Sequence, residues 1–390
     1  MNLLEFIAIL SDILDILVDN QPPLGKIPPM QILKKEKATL FHTTDKKPID
    51  VEKISILLTS ENRKLLFTLV IIDIDPQQHT TMYCVGGGSS SSFSLQNIQT
   101  FSGIATLMQT IQRVVIFEYY AACPREFDID TSKVLARILA EKTIEESMPS
   151  DGILVVGDSA GAVPAINFIQ AMQDTSAFNG NQMCLALFEP VGLTDNPYLL
   201  LNFLSTVWDI YGETRMGHSL SQALSEFYLS WALPGDVENS FGELVKDILY
   251  KRKKHYKKIA KSLNLQNLSS CNIPLGSFIH GSFANIGKEL TMPLNISLLF
   301  SNKSLEPVVK RYNHDEGLIK KYYTENIFPR INPEDIQISI LNGNHSFLYL
   351  PENFSITASI LNRALESGTA PSYTPVSNHQ YEQINLPSLA

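Results

Sequence analysis

The most informative stretch of the 390-residue chain is Ile153-Leu154-Val155-Val156-Gly157-Asp158-Ser159-Ala160-Gly161. Its four apolar residues predict a buried strand, and a helical pattern begins at Ala160 and continues to residue 173. A serine at the apex of a sharp strand-to-helix turn is strained, and flanking glycines leave room for the crossing backbone. The stretch therefore predicts a nucleophile elbow. The alternative is an ordinary turn in which Ser159 is the helix N-cap.

Short apolar runs alternate with helical patterns on both sides of this turn, which is typical of a buried and mostly parallel sheet. The sequence thus predicts an α/β fold. The predicted strands are Ile54–Leu58, Leu65–Ile74, Thr81–Val85, Val114–Tyr119, Ile153–Val156, Cys184–Phe188, Leu294–Phe300 and Ile336–Leu341, with helices near 98–111, 131–147, 160–173 and 353–365.

The alternation divides the chain into four parts. Residues 51–194 and 291–366 form the predicted α/β core, interrupted by a helical lid over 195–290 in which no strand pattern occurs. Residues 1–50 are a predicted N-terminal extension, an amphipathic helix followed by an irregular connection rich in Pro and Lys. Residues 367–390 contain few apolar side chains and are predicted to be a disordered tail.

Composition excludes several classes of protein. The 31 Lys and Arg against 40 Asp and Glu give a net charge of −9, which argues against general nucleic-acid binding. Four cysteines show neither disulfide-scaffold nor zinc-site spacing, so no metal or cofactor is expected. No signal peptide or membrane-spanning run is evident, and a cytoplasmic location is expected, although the tail is also compatible with an export address.

A nucleophilic serine needs a base and an acid that orients the base. His345 follows the last predicted strand and precedes the last helix, where a doubly wound hydrolase has its base. The other histidines lie outside such a loop. Glu189 and Glu306 both follow predicted strands and are the candidate acids, and Asp195 is a weaker third candidate.

A developing oxyanion needs two backbone N–H donors. The N–H of Ala160, the residue after the nucleophile, is the first candidate. The second is expected in the run Gly86-Gly87-Gly88-Ser89, which directly follows a core strand. The alternative for this glycine run is a flexible linker.

Over roughly residues 79–365 the chain resembles the thioesterases of fatty-acid, polyketide and nonribosomal-peptide synthesis, a branch of the α/β-hydrolases. The resemblance lies in Met82–Ser89, the elbow Gly157–Gly161, the strand that ends in Glu189-Pro190, and Gly343-Asn344-His345-Ser346-Phe347-Leu348. It implies an α/β-hydrolase fold with a helical lid, and it favours Glu189 over Glu306 as the triad acid. It also assigns the oxyanion donors to Gly88 and Ala160.

The sequence departs from that family at two points. Gly86-Gly87 replaces the usual His-Pro pair, and the acid would be Glu in place of Asp. The elbow Gly-Asp-Ser-Ala-Gly also resembles that of carboxylesterases similar to hormone-sensitive lipase, whose acid would lie at the later position. No carrier-protein segment precedes the hydrolase-like region, so a carrier would be a separate protein.

A cationic run, Lys251-Arg252-Lys253-Lys254-His255-Tyr256-Lys257-Lys258, interrupts the acidic composition inside the predicted lid. Such a run is usually a solvated helix face. The alternative is a docking patch for an acidic acyl carrier protein or for anionic lipid head groups.

The sequence as a whole predicts a serine acyl hydrolase, with thioesterase activity toward CoA or carrier-protein thioesters as the leading hypothesis. A carboxylesterase or lipase, or an acyltransferase or cyclase, would use the same triad and acyl-enzyme. The alternative from another class is a ligand-binding protein of the same fold with a vestigial triad.

Overall fold

The computed structural model describes residues 30–41, 48–60, 63–86, 95–118, 152–174, 182–190, 193, 284–291, 293–304, 306–343 and 347–366. These residues form a single sheet of nine strands: β1 (Met30–Phe41), β2 (Pro48–Ser60), β3 (Arg63–Asp73), β4 (Thr80–Val85), β5 (Ile111–Glu118), β6 (Gly152–Asp158), β7 (Gln182–Phe188), β8 (Asn295–Ser301) and β9 (Ile336–Leu341).

Six α-helices occur within the same residues: α1 (Leu95–Met108), α2 (Ala162–Gln173), α3 (Ala284–Gly287), α4 (Pro307–Arg311), α5 (Glu316–Asn326) and α6 (Phe354–Glu366). Short 3₁₀ turns lie at Ser159–Gly161, Pro333–Asp335, Phe347–Tyr349 and Pro351–Asn353.

The strand order across the sheet is β1-β2-β3-β5-β4-β6-β7-β8-β9. The first three strands and β5 pair antiparallel, and every pair from β5-β4 to β8-β9 is parallel. The prediction of an α/β fold with a mostly parallel central sheet is confirmed. Because parallel strands place their carboxyl ends at one edge, the loops after β4, β6, β7, β8 and β9 meet there.

Apolar side chains on the two faces of the sheet form two cores, because successive residues of a strand point to opposite faces. Helices α2, α4 and α5 pack on one face, over Val155, Leu187 and their neighbours. Helices α1 and α6 pack on the other face, over Val156 and Ala186 among others. The central strands are therefore buried on both sides, which explains their continuous apolar sequences.

The prediction of an irregular connection in the second part of the extension 1–50 is wrong for Met30–Phe41, which forms β1, and for residues 48–50, which begin β2. The prolines that suggested irregular structure lie at positions 22–29, before this strand, and Pro48 is tolerated as the first residue of β2. The lysines of β1 instead suit an edge strand, where charge discourages pairing with other chains.

Helices α4 and α5 were not predicted, although α5 has recognisable signals. The Asp315 carboxylate accepts a hydrogen bond from the N–H of Leu318 as an N-cap, and Ile319, Tyr322 and Tyr323 are buried at helical spacing. The predicted N-terminal helix, the helix near 131–147, nearly all of the predicted lid, and the tail lie outside the described residues.

Candidate active site

The turn at Ser159 has the backbone of a strained elbow. Strand β6 ends at Asp158, a 3₁₀ turn covers Ser159–Gly161, and α2 begins at Ala162. Ser159 has a φ of 53°, in the left-handed region that a non-glycine residue adopts at a cost. The N-cap of the 3₁₀ turn is Asp158 and that of α2 is Gly161, so Ser159 is not a helix N-cap.

Gly161 brings this elbow into direct contact with the end of β4. A Cβ atom at Gly161 would lie 2.5 Å from the carbonyl oxygen of Val85 and 2.9 Å from that of Gly86. Only a glycine permits this approach without displacement. The elbow therefore touches the start of the glycine run, whose residues from Gly87 onward, including Gly88, lie outside the described residues.

The pairing of β6 with β7 places Glu189 beside Ser159. Asp158 and Phe188 are paired in the parallel ladder, and the next residue on each strand is Ser159 and Glu189 respectively. Glu189 also has a positive φ, of 44°, and it is fully buried. Its N–H donates to the carbonyl oxygen of Leu299 on β8 at 2.9 Å. Two strained residues thus lie side by side at the carboxyl edge of the sheet.

Two short hydrogen bonds hold the Glu189 carboxylate. Its Oε1 accepts from the backbone N–H of Ser301 and its Oε2 accepts from the hydroxyl of Ser304, each at 2.6 Å. Hydrogen bonds of this length to a carboxylate are typical of its charged form. Each carboxylate oxygen has two lone pairs and can accept more than one hydrogen bond.

Glu306 lies near this carboxylate and shares the Ser304 hydroxyl with it. Its backbone N–H donates to the Ser304 hydroxyl oxygen at 3.2 Å. Burial, together with the negative charge of Glu189, raises the pKa of the Glu306 carboxyl well above its usual value. Burial also raises the pKa of Tyr323, and the nearby charges, with that of Glu306 the largest, add to this shift. The Glu306 carboxyl therefore keeps its proton to a higher pH than an exposed Glu does.

The residues on either side of His345 are fixed, while Asn344, His345 and Ser346 themselves lie outside the described residues. Asn342 and Gly343 are tied to the end of β8 through Asn302, whose side chain donates to the Asn342 side-chain oxygen and accepts from the Gly343 N–H. The Asn353 side chain donates to the carbonyl oxygens of Asn342 and Phe347, at 3.1 and 2.9 Å. Gly343 and Phe347, the described residues on either side of 344–346, therefore lie at the same sheet edge as Ser159 and Glu189.

A contact that the sequence did not suggest joins this region to the elbow. The hydroxyl of Tyr349 donates to Oδ2 of Asp158 at 2.5 Å, and Asp158 is 3% exposed. A Tyr four residues after a candidate histidine is the only sequence signal for it, and such a spacing has no general meaning.

The described residues contain no group of three His, Cys, Asp or Glu side chains that could hold a metal ion. Cys84 and Cys184 are buried, and burial raises the pKa of the Cys184 thiol to about 12. Asp195, the third candidate acid, and the cationic run Lys251–Lys258 lie outside the described residues. Among the described helices, none is both long and apolar enough to span a membrane.

In this strand order the strained serine follows β6, and the two acids follow β7 and β8. The fold is that of the α/β-hydrolases. Neither the protein-family models nor the curated proteins include a match to this chain.

Solved structures with a similar chain trace include proteins named as a putative hydrolase, a carboxylesterase and a putative lipase, at 11%, 12% and 14% sequence identity. The carboxylesterase EstE1 from a metagenomic library is 12% identical over 87% of this chain and 92% of its own, with a TM-score of 0.42. The esterase Pf2001 of Pyrococcus furiosus is 12% identical over 87% and 98%, with a TM-score of 0.42. A membrane phospholipase A, described as a bacterial virulence factor, is 12% identical over 93% and 96%, with a TM-score of 0.43.

Proposed function

We propose that the protein is a serine acyl hydrolase whose nucleophile is Ser159, whose base is His345 and whose orienting acid is Glu189. The observation that supports this most strongly is the pair of strained residues, Ser159 and Glu189, adjacent on neighbouring parallel strands. Positive φ angles at non-glycine residues cost energy and are found preferentially at functional sites.

In this mechanism His345 accepts the Ser159 hydroxyl proton as the serine oxygen bonds to the acyl carbonyl carbon. The carbonyl π electrons move to the oxygen, which the N–H groups of Ala160 and Gly88 stabilise. Collapse of this intermediate breaks the bond to the leaving group, which takes the proton from His345. Water then adds to the acyl-enzyme by the same route, and the acid product leaves with Ser159 restored.

Glu189 is proposed as the acid because its carboxylate lies beside Ser159 and is held by two hydrogen-bond donors. The Ser301 N–H and the Ser304 hydroxyl both donate to it, which stabilises the carboxylate beside an imidazolium. Glu306 is the poorer candidate because burial and the neighbouring Glu189 raise its pKa. A carboxyl that retains its proton stabilises an imidazolium less than a carboxylate does.

Substitution by the neutral amide separates the two acids. Glu189→Gln should lower kcat by about 10²- to 10⁴-fold, because the imidazolium loses its counter-charge and its tautomer is no longer fixed. Glu306→Gln should keep kcat within about threefold of the wild type, as expected of a carboxyl outside the reacting set. The reverse ranking would assign the role to Glu306.

The leaving group is proposed to be a thiol, as in a thioesterase acting on acyl-CoA or an acyl carrier protein. The resemblance of the glycine run, the elbow and the acid position to the thioesterases supports this choice. A carboxylesterase or lipase is the second candidate. The elbow Gly-Asp-Ser-Ala-Gly favours it, and the esterases and lipases with a similar chain trace act on esters by their names.

The first experiment is labelling with a fluorophosphonate, followed by intact-mass measurement. The wild type should gain one adduct and Ser159→Ala none. Ser102→Ala is the matched control, because Ser102 is also buried and its hydroxyl makes a local bond to the Gln99 carbonyl oxygen in α1. Folded wild type that takes up no label would favour instead a ligand-binding protein with a vestigial triad.

The second experiment is a hydrolysis panel of acyl-CoA, acyl carrier protein and simple esters of graded chain length. Preference for thioesters supports the thioesterase, and preference for oxygen esters supports the carboxylesterase. Trapping of the acyl-enzyme by added alcohols or amines would indicate acyl transfer. If Lys251–Lys258 docks a carrier, reversal of three of its charges should weaken turnover of the carrier-bound substrate and spare a small soluble ester.

A further inference from the structure

The Tyr349–Asp158 hydrogen bond joins the two chain segments that hold the proposed nucleophile and base. Asp158 directly precedes Ser159, and Tyr349 ends the 3₁₀ turn that follows residue 346. The two residues are 191 positions apart in the chain, and the bond is 2.5 Å long. Hydroxyl-to-carboxylate bonds of this length are charge-assisted and stronger than neutral ones.

The segment that bears Tyr349 is held by further hydrogen bonds. Its hydrogen bond to Asp158 can therefore fix the position of the whole segment relative to the elbow. The side chain of Asn353 donates to the carbonyl oxygens of Asn342 and Phe347, which joins the two flanks of residues 344–346 to each other. Gly343, with a φ of 137°, lies so close to Phe347 that a Cβ there would be 2.7 Å from the Phe347 Cβ. The chain segments on both sides of residues 344–346 are therefore linked to each other.

The same segment also packs near the acid. The ring of Phe347 lies 6.1 Å from that of Phe188, the residue before Glu189, and both rings are buried in the core on the α1 and α6 face. This apolar contact keeps the Phe347 segment packed against the sheet. It does not by itself fix the sideways distance to the elbow, because apolar contacts are not directional.

We propose that Tyr349 is a positioning residue whose hydrogen bond to Asp158 holds Phe347–Tyr349, the turn that directly follows the segment of the proposed base, in place beside Ser159. The proposal rests on the proposed function and deepens it, since it names the group that aligns nucleophile and base across two strands. A hydrogen bond is directional, and a tyrosine side chain has few torsions. The Tyr349–Asp158 pair therefore restricts both the distance and the direction between the two segments.

Tyr349→Phe tests this by removing one oxygen atom and no packing volume. Its kcat for a simple ester, and its rate of fluorophosphonate labelling, should fall by about 10- to 100-fold with KM within about twofold, because misalignment affects the transition state more than binding. The matched control is Thr110→Val, which removes a hydroxyl that donates at 3.1 Å to the side-chain oxygen of Asn362, a residue 252 positions away in the chain. The control should keep wild-type kcat.

Substitutions at Asp158 distinguish alignment from general destabilisation. Asp158→Asn keeps an oxygen acceptor for the tyrosine and should retain more activity than Asp158→Ala, which should lose at least as much activity as Tyr349→Phe. The double variant of Asp158→Ala with Tyr349→Phe should be no slower than the slower single variant, because both remove the same bond. Additive losses in the double variant would overturn the proposal, as would a Tyr349→Phe variant as active as Thr110→Val.

Hydrogen exchange supplies a readout that does not depend on catalysis. Peptides covering residues 342–350 should exchange faster in Tyr349→Phe than in the wild type and in Thr110→Val. Unchanged exchange would show that the bond does not hold the segment and would overturn the proposal. Absence of fluorophosphonate labelling in the wild type would instead refute the proposed serine hydrolase. The hydrogen-exchange result would still decide whether the Tyr349–Asp158 bond holds residues 342–350.

Discussion

Gly161→Ala is the substitution that most directly tests the contact between the elbow and the end of β4. Gly161 has φ and ψ of −67° and −10°, which alanine adopts freely, so any cost of the added methyl group is steric. The new Cβ would lie 2.5 Å from the Val85 carbonyl oxygen and 3.1 Å from its carbonyl carbon. Both are backbone atoms, which no side-chain rotation can move away.

The size of the effect follows from these distances. An ordinary contact needs about 3.4 Å, so the elbow and β4 must separate by about 0.9 Å. Forcing a methyl group into such a place costs about 1–3 kcal/mol, of which alanine recovers about 0.4–1 kcal/mol by restricting the unfolded chain. A net loss of about 1–2 kcal/mol corresponds to a fall in Tm of about 3–6 °C for a domain of this size.

The same displacement should reduce activity more than stability. A shift of about 1 Å between the proposed nucleophile and the loop proposed to donate to the oxyanion costs about 10²-fold in kcat. Thermal unfolding and ester hydrolysis measure the two effects. Gly317→Ala in α5 is the control, because its Cβ would meet only a side-chain atom, the Asp315 Oδ1 that caps α5, at 3.2 Å; it should keep full activity with a smaller change in Tm than Gly161→Ala. If Gly161→Ala behaves like Gly317→Ala in both assays, the reasoning is refuted.

Three further predictions concern buried titratable groups and their partners. The raised pKa of Glu306 means that the folded protein binds its proton more tightly than the unfolded chain, so this group lowers stability as pH rises above the usual Glu value. The Tm of Glu306→Gln minus the Tm of the wild type should therefore increase between about pH 4 and pH 7. A Tm difference that stays constant over this range would contradict this. Ser304→Ala removes one donor to Glu189 and should lower kcat by about 3- to 30-fold while Ser102→Ala does not; equal kcat in both variants would count against the role of Glu189. Cys84 and Cys184 are buried with raised pKa, so iodoacetamide at pH 8 should modify neither in the folded protein and both after unfolding, as peptide mass spectrometry can check.

Local patterns were sufficient to predict the central strands and the elbow. Strands β6 to β9 are within two residues of their predicted bounds because each is a short apolar run ended by polar residues. β1 was missed because nearby prolines, which lie just outside it, outweighed its own residues. Helix α5 was missed because only three of its side chains are buried, so its apolar pattern is faint.

The residue patterns alone do not rank the two candidate acids, and only the resemblance to the thioesterases favours Glu189. Glu189 and Glu306 each follow a strand, and their spacing along the chain does not indicate which lies beside Ser159. The parallel register of β6 and β7 decides this, together with the Ser301 and Ser304 donors that turn toward Glu189. Register depends on packing between strands distant in sequence, which local patterns do not encode.

The sequence by itself determined the α/β class and the turn at Ser159, because both depend on neighbouring residues: buried strands need apolar runs, and a tight turn needs glycines at fixed offsets. The tertiary structure alone decided the strand order, the adjacency of Glu189 to Ser159 and the contact of Tyr349 with Asp158. These arise when segments up to 191 residues apart meet at one sheet edge, where burial and hydrogen bonding select the partners.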